Sequence, residues 1–116
     1  MVWAVGGNAF VLARAAERAK LRQALEHAPG MIFAGYSAGA CLTGCDLTGI
    51  EMMADPGELP AGYSVHTPPT TLDLIGTRIV PHAGSKDADR AEHELMRQHL
   101  DYLRLRDGED AFFGDW

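Results

Sequence analysis

The five residues Gly35-Tyr36-Ser37-Ala38-Gly39 spell G-x-S-x-G between an apolar run, MIFA at residues 31–34, and a small-residue stretch, residues 38–45, that suits a helix. A strand turning sharply into a helix at such a pattern holds its serine in a strained backbone conformation with the hydroxyl exposed. Strand and helix then approach too closely for side chains at positions 35 and 39, which accounts for the two glycines. The Ala38 N–H and the positive end of the helix would face a developing oxyanion. The chemistry this arrangement serves is attack by Ser37 on a carbonyl carbon.

A serine hydroxyl is a weak nucleophile at neutral pH and needs a base. Among five histidines, His82 directly follows TRIVP at residues 77–81, a strand-like run. The carboxyl end of a strand is where open parallel sheets form ligand crevices, so His82 is the expected base. His27 ends a helix, where it complements the dipole, and His66 lies in a Pro-rich loop. His93-Glu94 begins an H-E-x-x-H pattern, but Arg97 stands where the second histidine belongs, and His99 falls on another face; zinc-protease chemistry is rejected and no metal is called for. A carboxylate is then needed to hold the His82 tautomer. Asp107, in a turn after a strand, leads; Asp55, Asp73 and Glu51 are rivals.

These groups need a frame. Residues 1–5 (MVWAV) read as a short strand ending at Gly6-Gly7, after which Asn8 can cap a helix running to the Pro29-Gly30 stop. Phe10, Ala13, Leu21, Leu25 and Ala28 share its apolar face, and Arg14, Arg18, Lys20 and Arg22 read as its solvated side. Residues 31–34 are apolar without alternation, as in a strand buried on both faces of a parallel sheet. Residues 46–69 hold seven Gly and Pro and form an irregular excursion of the kind that covers binding sites. After the strand at 77–81, Asp87 or Asp89 can cap a helix carrying Ala91, Leu95, Met96, Leu100 and Leu103. A strand-like segment at 103–105, the Asp107-Gly108 turn and a short strand at 111–113 close the chain. Repeated strand–helix units imply an α/β fold, a mostly parallel sheet flanked by helices, as one domain over residues 1–116.

Composition narrows the partners. With 116 residues, 47% of them hydrophobic, the chain can build a core, and its formal charge of −6 argues against nucleic-acid or membrane-surface binding. No apolar run approaches the roughly 20 residues of a membrane span, and no secretory signal pattern is seen. Cys41 and Cys45 lack the spacing of a disulfide framework or zinc site, so reduced thiols of a cytoplasmic protein are expected.

The run Val5-Gly6-Gly7-Asn8-Ala9-Phe10, with Gly35-Tyr36-Ser37-Ala38-Gly39-Ala40 about thirty residues on, resembles the peptidase E family of serine peptidases, which includes alpha-aspartyl dipeptidase and, more distantly, cyanophycinase. Val80-Pro81-His82 and Leu105-Arg106-Asp107-Gly108 are similar to the family's histidine and acidic segments. The resemblance implies a fold like the class I glutamine amidotransferase domain and a Ser37-His82-acid triad without cofactor. The acid would be Asp107, or Asp55 or Glu51 in the loop after the serine. It also implies oxyanion donors from Gly6 and Gly7, with a short peptide as substrate. In aspartyl dipeptidases basic residues after the histidine grip the substrate's aspartate; Arg90 is the candidate here, with Lys86 second. Family members are roughly twice as long, with strand–helix units ahead of the equivalent of Met1, so the fold is expected to be incomplete at its N-terminus and the chain to self-associate. A truncated, inactive member serving as an interaction module, or a gene remnant, is one alternative. A conventional α/β-hydrolase esterase is the other, with Asp55 or Asp73 preceding His82.

Overall fold

Two strand–helix–strand units frame the computed structural model, which describes residues 1–64 and 66–114. The first runs from β1 (Val2–Ala4) through α1 (Ala9–Arg18) and α2 (Leu21–Glu26) to β2 (Phe33–Gly35). Its strands pair in parallel, Val2 opposite Phe33 and Ala4 opposite Gly35. Between the units lie α3 (Ala38–Leu42) and an irregular stretch interrupted by a 3₁₀ turn at Ile50–Met52. The second unit is β3 (Arg78–Val80), α4 (Lys86–Arg97) and β4 (Tyr102–Arg104), again parallel, with Val80 opposite Arg104. The class is α/β, as expected.

Asn8 starts α1 by accepting from the Phe10 and Val11 N–H groups at 2.8 and 3.3 Å. The single helix expected up to residue 28 is broken at Lys20, whose φ of 56° is left-handed. The break re-aims the chain so that Leu21 and Leu25 pack on the same core as Phe10 and Ala13. A second correction concerns the basic side of this helix. Arg14 is buried, donating from Nε to the Thr67 carbonyl at 3.1 Å, and Arg18 lies 4.6 Å from the Tyr63 ring centroid. The irregular stretch folds over this face and replaces solvent, which the local period of a helix does not report.

The second strand begins two residues later than expected and is half-buried, with Met31 and Ile32 outside it and exposed. Its apolar run therefore does not mark burial on both faces. Ser85, rather than Asp87 or Asp89, caps α4 by accepting from Ala88 N–H at 3.2 Å; the two aspartates occupy the first turn, where they complement the dipole. Residues 111–113 form no strand. One core cluster gathers Phe10, Ala13, Cys41, Leu42 and Ile50, the other Val80, Ala88, Ala91 and Leu95, and Met53 packs against both. Arg78 and Asp46 tie the end of α3 to β3 through two hydrogen bonds of 2.7 Å. Burial pushes the Asp46 carboxyl up, but the Arg78 and Thr48 hydrogen bonds outweigh it and hold the group below its usual range.

Candidate active site

The four strands deliver the predicted residues from their carboxyl ends. Gly6 lies two residues beyond β1, Ser37 two beyond β2, His82 two beyond β3, and Asp107 three beyond β4. The strands form two two-stranded sheets, β1 with β2 and β3 with β4; parallel pairing points the carboxyl ends of each pair the same way, and the Ser37–His82 contact joins the two edges.

At β2 the chain turns into α3 with Ser37 at φ 57° and ψ −115°, a conformation unfavourable for any residue with a side chain. It is held by contacts that only glycines allow. A Cβ on Gly35 would collide with the Gly39 and Ala40 backbone, and one on Gly39 would collide with the Ala4 carbonyl and side chain. Gly39 N–H donates to the Val5 carbonyl at 3.1 Å and the Tyr36 carbonyl at 3.0 Å, and Tyr36 N–H donates to Ala4 at 2.9 Å, stitching the turn to β1. Ala38, the first residue of α3, has no intrahelical acceptor for its N–H. Gly6 passes so near that a Cβ there would sit 3.4 Å from Ser37 Cβ. Gly7, at φ 125°, lines the same cavity as Ser37.

Ser37 Oγ is 2.8 Å from His82 Nε2, and His82 Nδ1 is 2.6 Å from Asp107 Oδ1. The acid prefers the proton-bearing nitrogen, so Nδ1–H donates to Asp107 and Nε2 is left to accept from Ser37. His82 itself is at a positive φ of 56°, following buried Pro81. Its imidazole meets the Tyr36 ring edge-on, centroids 5.9 Å apart. The Asp107 side chain is 71% exposed and that of His82 33% exposed. The rival acids lie elsewhere: Asp55 accepts the Gly57 N–H at 2.8 Å within its own turn, and Glu51 and Asp73 are exposed.

Ser37 and His82 open onto a cavity of about 180 Å³ walled by Ala9, Cys41, Ile50, Met53, Ala54 and Pro81. Burial pushes the Cys41 thiol up to about 12, so it is neutral and chemically inert. Arg90 and Lys86 line a separate, wider groove with Met52, Gly84 and His93, and neither lines the Ser37 cavity. Among the described residues no group of three or more His, Cys, Asp or Glu is arranged to hold a metal ion, and no helix is long and apolar enough to cross a membrane.

Two contacts at the site lie outside what the sequence suggests, that of Tyr36 with His82 and that of Asn8 with the irregular stretch. Tyr36 fills the variable position of the G-x-S-x-G pattern, and only the fold brings the histidine against it. Asn8 was legible as a cap, but its Nδ2 also donates to Glu58 Oε2 at 2.7 Å and the Asp55 carbonyl at 2.9 Å, tying the Gly6-Gly7 turn to the irregular stretch.

A serine at positive φ at a strand–helix junction, hydrogen-bonded to a histidine that in turn meets an aspartate, all just past the carboxyl ends of parallel strands, places the chain among α/β proteins. More particularly, the chain belongs to peptidase family S51, whose family model matches residues 1–111. The structure is similar to that of a candidate peptidase E protein from Listeria monocytogenes EGD-e, with a TM-score of 0.68 and 20% identity over 91% of this chain and 50% of that one. The chain thus spans half the length of that protein, and the likeness is one of fold. Comparison with curated proteins gave no match.

Proposed function

We propose that this chain carries the reacting centre of a serine-type peptidase acting on short peptides. The observation that carries the reading is the unbroken hydrogen-bonded line from Ser37 Oγ through His82 to Asp107 at a strained turn. In this reading Ser37 Oγ attacks the scissile carbonyl as its proton passes to His82 Nε2. Asp107 steadies the resulting imidazolium. The oxyanion is met by Ala38 N–H and by an N–H of Gly6 or Gly7. Collapse of the tetrahedral species breaks the C–N bond, and the amine leaves with the proton from His82. Water, deprotonated by the same nitrogen, then cleaves the acyl–Ser37 ester and restores the free hydroxyl.

The order Ser37, His82, Asp107 along the chain favours this reading over an α/β-hydrolase esterase, in which an acid precedes the histidine. A preference for N-terminal aspartate, which the peptidase E resemblance suggests, would call on Arg90 from the neighbouring groove. The testing experiment is labelling with a small fluorophosphonate, read by peptide mass spectrometry, beside turnover of a short-peptide mixture. Modification at Ser37 alone, with turnover lost in Ser37→Ala, is the expected result. Modification at Ser64 or Ser85, or none, refutes the reading.

A further inference from the structure

The main chain that carries His82 is fixed: buried Pro81 precedes it, Ala83 N–H donates to the Leu105 carbonyl at 2.9 Å, and the His82 carbonyl accepts from Ser85 N–H at 3.0 Å. Its imidazole can still turn about the side-chain bonds, and both hydrogen bonds that hold the ring are open to loss. Asp107, the partner of Nδ1, stands largely in water, which competes for the same proton. Ser37, the partner of Nε2, ceases to be a donor once its oxygen is esterified. At that stage the ring must nonetheless stay in line to take a proton from water. Its contact with Tyr36 depends on neither event. The two rings meet with centroids 5.9 Å apart and planes at 89°, the edge-to-face arrangement that aromatic pairs prefer. Tyr36 is placed by backbone: its N–H donates to the Ala4 carbonyl at 2.9 Å and its carbonyl accepts from Gly39 N–H at 3.0 Å, so its ring rides on the same stitches as the Ser37 turn. It belongs to neither core cluster and is half exposed, so core packing does not account for an aromatic ring at this position.

We infer that Tyr36 is a positioning residue, its ring the wall that keeps the His82 imidazole aligned between Ser37 and Asp107, with its largest effect after Ser37 has been acylated. Alignment of the resting ring is independent of any reaction, whereas the effect after acylation rests on the serine-peptidase reading. The ring and not the hydroxyl does this, because the contact with His82 is between ring and ring.

The test compares Tyr36→Ala and Tyr36→Phe with the unaltered chain by two readouts, after thermal melts show that each variant folds. The first is the His82 tautomer, read from the ring ¹⁵N shifts at a pH where the imidazole is neutral. An aligned ring carries its proton on Nδ1, and a ring free to turn populates both tautomers. The unaltered chain and Tyr36→Phe should show the Nδ1–H form, and Tyr36→Ala a mixture. A mixture in the unaltered chain, the Nδ1–H form retained in folded Tyr36→Ala, or a mixture in Tyr36→Phe overturns the inference. The second readout is turnover of a short-peptide nitrophenyl ester, with which acylation of Ser37 outruns deacylation. Here kcat reports the deacylation step and kcat/KM the acylation step. In Tyr36→Ala, kcat should fall about two- to tenfold, the range of one aromatic pair, while kcat/KM changes less and KM therefore falls too. An unchanged kcat, or equal losses in kcat and kcat/KM, overturns the effect after acylation. If a small fluorophosphonate fails to label Ser37 and no ester is turned over, the peptidase reading falls, and the tautomer readout still decides whether Tyr36 aligns the ring.

Discussion

The two ends of the Ser37–His82–Asp107 line are built on opposite principles. At the serine end, position is dictated by backbone: Gly35 and Gly39 permit contacts that any Cβ would forbid, and Gly39 N–H anchors the turn to β1. At the acid end, Asp107 stands on an exposed turn with 71% of its side chain open to water. Water can replace an exposed partner, and exposed ion pairs are worth about 1 kcal/mol or less. In the proposed reaction the nucleophile must be fixed to a fraction of an ångström, whereas an acid acting through a histidine tolerates looser support. Rigidity is therefore concentrated at the elbow.

The sharpest way to break this contrast is to remove the groups proposed to react. Ser37→Ala and His82→Ala should each lower kcat on the order of 10⁴-fold or more and to similar extents, because such groups act as a unit. Steady-state assay on the best peptide checks this, and a His82→Ala enzyme of near-normal activity would place the base elsewhere. Next is Gly35→Ala, which forces a Cβ into the α3 backbone and should cost about 3 kcal/mol of stability, read by urea melts. A neutral result would mean that the elbow yields.

Asp107→Asn should fall well short of the Ser37 loss, with kcat down roughly 10- to 100-fold, since solvent reaches the site and can orient the imidazole in part. A loss equal to that of Ser37→Ala would show the acid end to be as tightly built as the serine end. The smallest effect is one of opposite sign. Ser37→Gly removes activity but relieves the positive φ, so stability should rise by about 1 kcal/mol, seen as a Tm higher by a few degrees. An unchanged or lower Tm would mean that the turn stores no strain.

Much of the site was legible because its determinants are local. G-x-S-x-G between an apolar run and a helix-compatible stretch encodes an elbow through steric demands on neighbouring residues, and Ser37 lies where that pattern requires. His82 was legible from its position just past a strand. The acid was left among Asp107, Asp55, Asp73 and Glu51, because the parallel pairing that carries Asp107 to His82 joins residues with no sequence-local tie. Arg14 misled for a related reason. Its helical period is that of a solvated face, and only the return of Gly62, Tyr63 and Thr67 over α1 buries that side.

What the amino-acid order determined by itself was the alternation of strands and helices, the strained serine and the glycines around it, since these follow from φ/ψ sterics and apolar periodicity within a few residues. Tertiary structure alone decided which carboxylate meets His82, that Tyr36 abuts the imidazole, and that the cavity before Ser37 is walled by aliphatic groups. The physical reason is that each of these depends on packing between segments far apart in the chain. The burial of apolar surface that drives such packing is non-directional, so partners are selected by how whole elements fit and not by the residues beside them.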